Sequence, residues 1–204
     1  MIRETTYDEV FDAQRHFRTV LDAMARPGKI NRLVTVALTP PGRLNHGAAC
    51  VAFALLNADV GFHLDGFGDA EAEYLRVNTS SRAVAAEAAE FVFVSGLAQT
   101  SAIRAAKVGV PAYPETSATA IIQVAQIGKS SATRGLQLTL TGPGVETQEI
   151  VFVNGLETVH LEALRDRNTE FPLGVDAILR GENPRLIQDK LEAFLAPKMR
   201  GEKK

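Results

Sequence analysis

The stretch QRHFRTVLDAMARPG, residues 14–28, constrains the fold most, because it joins a patterned helix to a Pro-Gly stop. Around it, apolar residues recur at offsets of three, four and seven, the spacing of one helix face. These residues are Val10, Phe11, Ala13, Phe17, Val20, Leu21 and Met24. Pro27 disfavours a helical conformation at Arg26, and Gly28 permits a tight reversal. We predict an opening helix of about five turns that docks by this apolar face.

The two ends of this helix carry polar residues with clear roles. Thr5 or Thr6 is the predicted N-cap, and the acidic pair at residues 8–9 then lies in the first turn, where the helix dipole favours negative charge. Arg18 and Arg26 are candidate contacts for an anion or for a partner's carboxylate, because guanidinium is a rigid fork of donors. The alternative is that both belong to the solvated face of a core helix.

Composition excludes several classes of protein. The chain has 204 residues and a formal net charge of −2, which argues against nucleic acid as the main partner. We find no secretory signal and no apolar run of ~20 residues, so we expect a cytoplasmic protein without a membrane segment. The single Cys50 lies in the run AACVAFALL, which predicts a buried small hydrophobe and fits a reducing compartment.

Strand and helix patterns alternate along the chain without a repeat or a long linker. Predicted strands lie at residues 32–38, 60–64, 91–94, 118–127, 136–141, 149–153 and 175–179. Besides the first, predicted helices lie at residues 45–56, 69–75, 82–89, 96–107, 156–166 and from Asn183 onward. We predict a single α/β domain over 1–204, with an ordered core at about 5–196 and a charged tail at 197–204. Its mixed β-sheet is flanked by helices in three layers.

Patterns that carry chemistry are weak. Gly128-Lys129-Ser130 resembles the end of a phosphate-binding loop, but Gln123 stands where that loop requires its first glycine. His63 and Asp65 share a strand face, yet no second histidine pairs with them at ligand spacing, so we predict that His63 is a hydrogen-bonded histidine at a strand end rather than a metal ligand. We therefore assign no catalytic, metal-binding or cofactor-binding residue. Arg82 follows a Thr-Ser-Ser cluster at a predicted helix start, which makes it a third candidate anion contact; the alternative is a solvated helix residue.

Four segments together resemble the PhnH family, the H subunit of the bacterial carbon–phosphorus lyase core complex. They are QRHFRTVLDAMARPG at 14–28, YPETSATAIIQV at 113–124, LTGPGV at 140–145 and FPLGVDAIL at 171–179. Each segment alone is a weak signal, but their order and spacing cover most of the chain. The resemblance implies a cytoplasmic α/β protein used in the breakdown of organophosphonates.

The resemblance also implies an architecture and partners. Family members are similar in fold to pyridoxal-phosphate-dependent transferases but do not bind that cofactor. They form a homodimer and join the G, I and J subunits, and bond cleavage belongs to the iron–sulfur J subunit. A chain with one cysteine cannot hold such a cluster with four thiolates of its own.

We therefore expect a structural or accessory subunit of this complex. The alternative is a free-standing enzyme or a binder of a small phosphorylated or phosphonate compound. The loop aromatics Phe67, Tyr113 and Phe171 are candidate interface residues, because exposed aromatic side chains often mark contacts between subunits.

Overall fold

The computed structural model describes residues 3–182 and 191–196. Five α-helices lie in this part: α1 Phe11–Ala25, α2 His46–Leu55, α3 Asp69–Thr79, α4 Ser101–Ala105 and α5 Thr158–Arg167. The strands are β1 Asn31–Leu33, β2 Gly61–Asp65, β3 Arg82–Ala83, β4 Phe91–Ser95, β5 Thr119–Val124, β6 Gln126–Gly128, β7 Leu136–Leu140, β8 Glu149–Asn154, β9 Asp176–Glu182 and β10 Leu191–Ala196. None of the described helices is both long and apolar enough to cross a membrane.

A seven-stranded mixed sheet forms the centre, in the order β1-β10-β9-β5-β4-β2-β3. The run from β9 to β3 is parallel, whereas β10 is antiparallel to both of its neighbours. A separate antiparallel sheet has the order β6-β8-β7. The predicted α/β class with a mixed sheet is confirmed, and so is the predicted pairing of the strands near 136–141 and 149–153.

Side chains of the parallel strands alternate between two apolar clusters, one on each face of the sheet. Phe93, Ile121 and Ile178 lie opposite one another in register and pack with α1, α2 and α3. The residues on either side of them point to the other face, toward α4, α5 and the small sheet. Strands buried on both faces explain the nearly continuous apolar runs in the sequence.

Two predicted strands differ from the observed ones. The run at 118–127 divides at Ala125, because its two halves, β5 and β6, pair in different sheets. The run at 32–38 forms regular structure only at Asn31–Leu33. Beyond that point the carbonyls of Val34 and Val36 bond to the imidazoles of His16 and His46 instead of to a neighbouring strand.

The predicted helix at 82–89 is wrong. Ser80 ends α3 in a left-handed conformation, with φ 60°, and Arg82 then pairs with Gly61 as part of β3. The alanine-rich remainder forms turns, and Ala86 and Ala89 are buried against the sheet. Alanine's helix propensity is a weak preference that tertiary packing overrides here. The predicted final helix opens outside the described residues, and 191–196 form β10.

Of the two predictions for the ends of α1, the one for its start is wrong and the one for its end is confirmed. Asp8 caps the helix, since its Oδ1 accepts the N–H groups of Val10 at 2.9 Å and Phe11 at 2.7 Å, so the predicted cap at Thr5 or Thr6 is wrong. The predicted stop is confirmed: α1 ends at Ala25, and Gly28 turns the chain with φ 92°.

The predicted docking face of α1 is wrong for its larger residues, although Val20 is buried as predicted and Ala13 is half-buried. The buried residues are His16, Val20 and Ala23, which face α2, β1 and β10. Five large apolar side chains at the start and along the exposed surface of α1 are here called the outer stripe: Val10, Phe11, Phe17, Leu21 and Met24, exposed by 69%, 64%, 47%, 54% and 41%. His16 can be buried on the core side of α1 because both of its ring nitrogens are hydrogen-bonded. One lies 2.8 Å from the Val34 carbonyl and the other 3.1 Å from the Tyr7 hydroxyl.

Candidate functional site

A cleft of about 500 Å³ opens at the carboxyl ends of the parallel strands. The chain leaves β2 toward α3 on one face of the sheet and leaves β4 toward α4 on the other. Adjacent parallel strands whose connections diverge in this way form a crevice, and open α/β sheets bind their ligands at such switch points. The lining residues are Arg43, Gly66, Ser95, Leu97, Ala98 and Gln123.

The two strand-end loops approach each other closely at this cleft. Gly66 follows β2 with φ 85°, a conformation that favours glycine. A Cβ atom at Gly66 would lie 2.7 Å from the Cβ of Ala98, which follows β4. Glycine at position 66 therefore permits both the turn after β2 and the close approach of the two loops.

The backbone of Arg43 is held on both sides by side chains. Its N–H donates to Oε1 of Glu71 at 2.9 Å, and its carbonyl accepts Nε2 of Gln123 at 2.7 Å. Gln123 lies on β5, and its Oε1 accepts the N–H of Asn45 at 2.8 Å. One side chain of the sheet thus fixes the loop that carries Arg43 and the start of α2.

The charges around the cleft are unevenly satisfied. Glu71 is buried and accepts the N–H groups of Arg43 and Gly68. Asp65 accepts the Ser101 hydroxyl and the Ala102 N–H, each at 3.2 Å. No described carboxylate lies within ion-pair distance of the Arg43 guanidinium. The cleft therefore presents one exposed cation beside two carboxylates whose oxygens already accept hydrogen bonds.

The three arginines singled out in the sequence lie elsewhere. Arg18 is exposed on α1, and Arg26, at the end of that helix, pairs with Asp22. Asp22 also accepts Nζ of Lys29 at 2.6 Å. Arg82 is exposed on β3, at the opposite edge of the sheet from β1 and β10, against which α1 packs. The structure does not bring these three guanidinium groups to one place.

Comparison with known proteins identifies the family. Residues 5–186 match the model of PhnH, described as bacterial phosphonate metabolism protein. This chain belongs to the PhnH family. It is 29% identical over 175 residues, 84% of each chain, to alpha-D-ribose 1-methylphosphonate 5-triphosphate synthase subunit PhnH of Rhizobium meliloti (strain 1021). It is 35% identical over 98 residues, 48% of this chain and 47% of the relative, to the putative C-P lyase subunit protein HtxG of Stutzerimonas stutzeri.

The thiol of this PhnH-family chain is buried, as predicted. Cys50 is fully enclosed in α2, and burial raises the pKa of its thiol to about 12. Nδ1 of His46 lies 3.8 Å from the sulfur, but Nε2 of the same ring bonds the Val36 carbonyl. A protonated, enclosed thiol is a poor nucleophile.

The other weak motifs are occupied by structural contacts. Lys129 of the Gly-Lys-Ser tripeptide pairs with Glu149 of β8. Nδ1 of His63 lies 2.9 Å from the Val84 carbonyl, so the predicted hydrogen-bonded strand histidine is confirmed. Within the described part of the chain, no three His, Cys, Asp or Glu side chains gather to hold a metal ion.

Sequence reasoning missed the cleft itself. Arg43 follows Pro-Pro-Gly in a loop, and Gln123 is a polar residue inside an otherwise apolar strand. The second feature is the usable signal, because a polar side chain near the carboxyl end of a buried strand needs a hydrogen-bond partner. The partners of Gln123 are about 80 positions away along the chain, so sequence alone does not name them.

Proposed function

We propose that this chain is a non-catalytic subunit of a carbon–phosphorus lyase complex, acting in the breakdown of organophosphonates with G, I and J subunits. Family membership supports the pathway, and the two relatives are named as subunits. The structural observation that carries the proposal is the outer stripe of α1. Four of the five residues, Val10, Phe17, Leu21 and Met24, follow one another at offsets of seven, four and three and so share a helix face, and an exposed apolar row of this kind is typical of a protein–protein contact.

We propose that the outer stripe mediates the homodimer. The start of α1 is acidic, with Asp8, Glu9 and Asp12, whereas its end carries Arg26 and Lys29. Two copies related by a two-fold axis across the helix would place each acidic start beside the partner's basic end, with the stripes in contact. Charge complementarity of this kind favours the antiparallel register over alternatives.

Co-expression with the G, I and J homologues tests the subunit role. We expect the tagged chain to co-purify with all three at a fixed stoichiometry. Recovery of the chain alone, from cells in which G, I and J assemble with one another, would contradict the proposal.

Light scattering after size exclusion tests the dimer. We expect the parent chain to elute with twice its monomer mass, and a Phe17→Glu, Leu21→Glu variant to elute as a monomer with unchanged helical circular dichroism. Val159→Glu is the matched control, because Val159 is also an exposed apolar helix residue, on α5. If the double variant still elutes as a dimer, the outer stripe is not the dimer interface.

Arg18 and Arg26 are proposed partner contacts at this surface. Both side chains are exposed on or beside α1, and only Arg26 has a described carboxylate partner, Asp22. Charge reversal at Arg18 should weaken assembly more than reversal at Arg82, which lies on the opposite edge of the sheet. Equal assembly by all variants would return these arginines to the solvated surface.

Two further parts of the proposal concern the location of the protein in the cell and the likeness of its fold to other proteins. We propose a cytoplasmic location, where a subunit of a metabolic complex meets its partners. The likeness to the fold of pyridoxal-phosphate-dependent transferases stays a prediction. A second candidate function, binding of a small phosphorylated or phosphonate compound, is favoured by the cleft beside Arg43.

A further inference from the structure

We propose that the cleft between the ends of β2 and β4 binds a small phosphonate or phosphate monoester, with Arg43 as the residue that contacts the anion. This inference rests on the proposed role in phosphonate metabolism for the identity of the anion, and on the cleft for its position. It assigns the anion to a residue outside the three arginines of α1 and β3.

The position of the cleft is the first argument. Diverging connections after β2 and β4 leave a crevice that the fold itself does not fill. A volume of about 500 Å³ matches ligands of the size of a substituted phosphonate or a sugar phosphate. Ser95 contributes a hydroxyl to the lining, at the point where β4 ends.

The state of Arg43 is the second argument. An arginine on a mobile loop loses backbone freedom as well as side-chain freedom when it binds an anion, and the backbone part of this cost is avoided where the backbone is already fixed. Here the N–H and the carbonyl of Arg43 are both fixed, by Glu71 and Gln123. The guanidinium is exposed and has no described ion pair, so its five donors remain available for the forked hydrogen bonds that phosphoryl oxygens accept.

The apolar wall indicates the rest of the ligand. Leu97 is 71% exposed and Ala98 lies beside it, both in the loop after β4. An exposed leucine next to a cation suits an anion that carries an apolar substituent, because burying the substituent against Leu97 adds a hydrophobic contribution. A phosphonate with a carbon substituent should therefore bind more tightly than inorganic phosphate.

Titration of the isolated full-length chain tests the site, with inorganic phosphate, methylphosphonate and phenylphosphonate as probes. Proton–nitrogen correlation spectra report both affinity and position. We expect saturable shifts at the amides of Gly66 and Leu97 and at the Arg43 Nε–H, with Kd of about 1 mM or tighter for phenylphosphonate. The neutral ester dimethyl methylphosphonate should give no saturable shift, because it lacks the charge that Arg43 contacts.

Arg43→Gln should weaken phenylphosphonate binding about tenfold, because it removes a charge-assisted contact, while the melting temperature stays unchanged. Arg32→Gln is the matched control, because Arg32 is an exposed arginine on β1, at the far edge of the sheet. No saturable binding by the parent chain, or equal binding by the parent and Arg43→Gln, would overturn the inference.

Co-purification of Arg43→Gln with the G, I and J homologues separates this inference from the proposed function. If assembly is retained but the parent chain binds none of the anions, only the cleft proposal fails. If anions bind through Arg43 but the chain never assembles, the subunit proposal fails and the cleft stands.

Discussion

Helices α1 and α2 pack against each other on the same face of the sheet, yet they use apolar residues in opposite ways. The middle of α2 is buried on all sides, from Gly47 to Ala52. In α1 the large apolar residues of the outer stripe face away from the core, and the buried side holds His16, Val20 and Ala23. The apolar residues of α2 stabilise this chain, whereas those of the outer stripe remain available to a partner.

Position in the helix layer explains the difference. Helix α2 lies between α1 and α3 and rests on β9, so every side of it meets protein. Helix α1 lies at the end of the layer and contacts α2, β1 and β10 on one side alone among the described elements. A periodic apolar pattern thus predicts a helix reliably, but its neighbours decide which apolar residues reach the core.

The largest expected effect comes from the same substitution in each helix. Val51→Asp buries a carboxylate at a fully enclosed position and should lower the free energy of unfolding by more than about 4 kcal/mol. Leu21→Asp, in the outer stripe, should change the free energy of unfolding of the monomer by less than about 0.5 kcal/mol, so both variants are compared at a protein concentration low enough to dissociate the proposed dimer. Urea unfolding measures both, and comparable losses would contradict the contrast between the helices.

Removal of the cap of α2 should have the next largest effect. Oδ1 of Asn45 accepts the buried N–H of Ala48 at 2.8 Å. Asn45→Ala should therefore lower the free energy of unfolding by about 1–2 kcal/mol, which thermal melting would show as a drop of a few degrees. Asp8→Ala at the exposed start of α1 is the matched cap variant and should cost less. An inverted order would show that α1 contributes more to stability than its burial indicates.

Loss of the link between the sheet and α2 should have a smaller effect on stability and a visible one on the cleft. Gln123→Leu removes the hydrogen bonds to Asn45 and Arg43, which costs about 1 kcal/mol where water replaces them. Phenylphosphonate affinity should fall about threefold, because Arg43 keeps its guanidinium but loses a fixed backbone. Calorimetric titration of Gln123→Leu beside Arg43→Gln checks this; a loss equal to that of Arg43→Gln would make Gln123 a direct contact.

Low pH should have the smallest of these effects, a local loss of stability at the start of α1 that α2 does not share. Hydrogen bonds from Phe11 and Val10 hold the pKa of Asp8 below its ordinary 3.8. Burial alone acts to raise the pKa of Glu4, but bonds from Tyr74 and Thr39 outweigh it and hold that pKa below 4.5. Both groups stabilise the fold above their ordinary pKa values, and this stabilisation disappears as the pH falls through the lowered values.

Hydrogen exchange as a function of pH compares the start of α1 with the start of α2. Amides in the first turn of α1 should lose protection as the pH falls below about 4, after correction for intrinsic rates. The start of α2 should not, because its cap Asn45 does not titrate. Asp8→Asn should abolish the pH dependence at the start of α1, whereas Glu4→Gln should not, because the Glu4 carboxylate bonds Thr39 and Tyr74. Parallel loss of protection in both helices would indicate a global acid transition instead.

Much of the architecture was predictable because local pattern and final environment agree. Strands β2, β4, β5 and β9 and helices α2 and α5 lie close to their predicted positions, and the Pro-Gly stop of α1 is where the residues require it. The failures occur where a distant contact overrides a local preference. Residues 82–89 carry a helix-forming composition but pair with β2 and pack on the sheet.

The candidate site divides in the same way. The sequence correctly places the buried thiol and the hydrogen-bonded His63, whose surroundings are set by the strands and helices that carry them. The cleft depends on Arg43 in a loop, Glu71 in α3 and Gln123 in β5 coming together. Their spacing along the chain does not predict this contact, because the three residues are brought together only by the path of the chain around the switch point.

The sequence by itself determined the family, the α/β class and the apolar periodicity of α1, since motifs, strand runs and helical spacing are properties of neighbouring residues. Only the tertiary structure decided that α1 turns most of its large apolar residues outward and that one arginine is held at a cleft. Both outcomes depend on which elements become neighbours. Burial free energy is gained only where a second surface is present to exclude water.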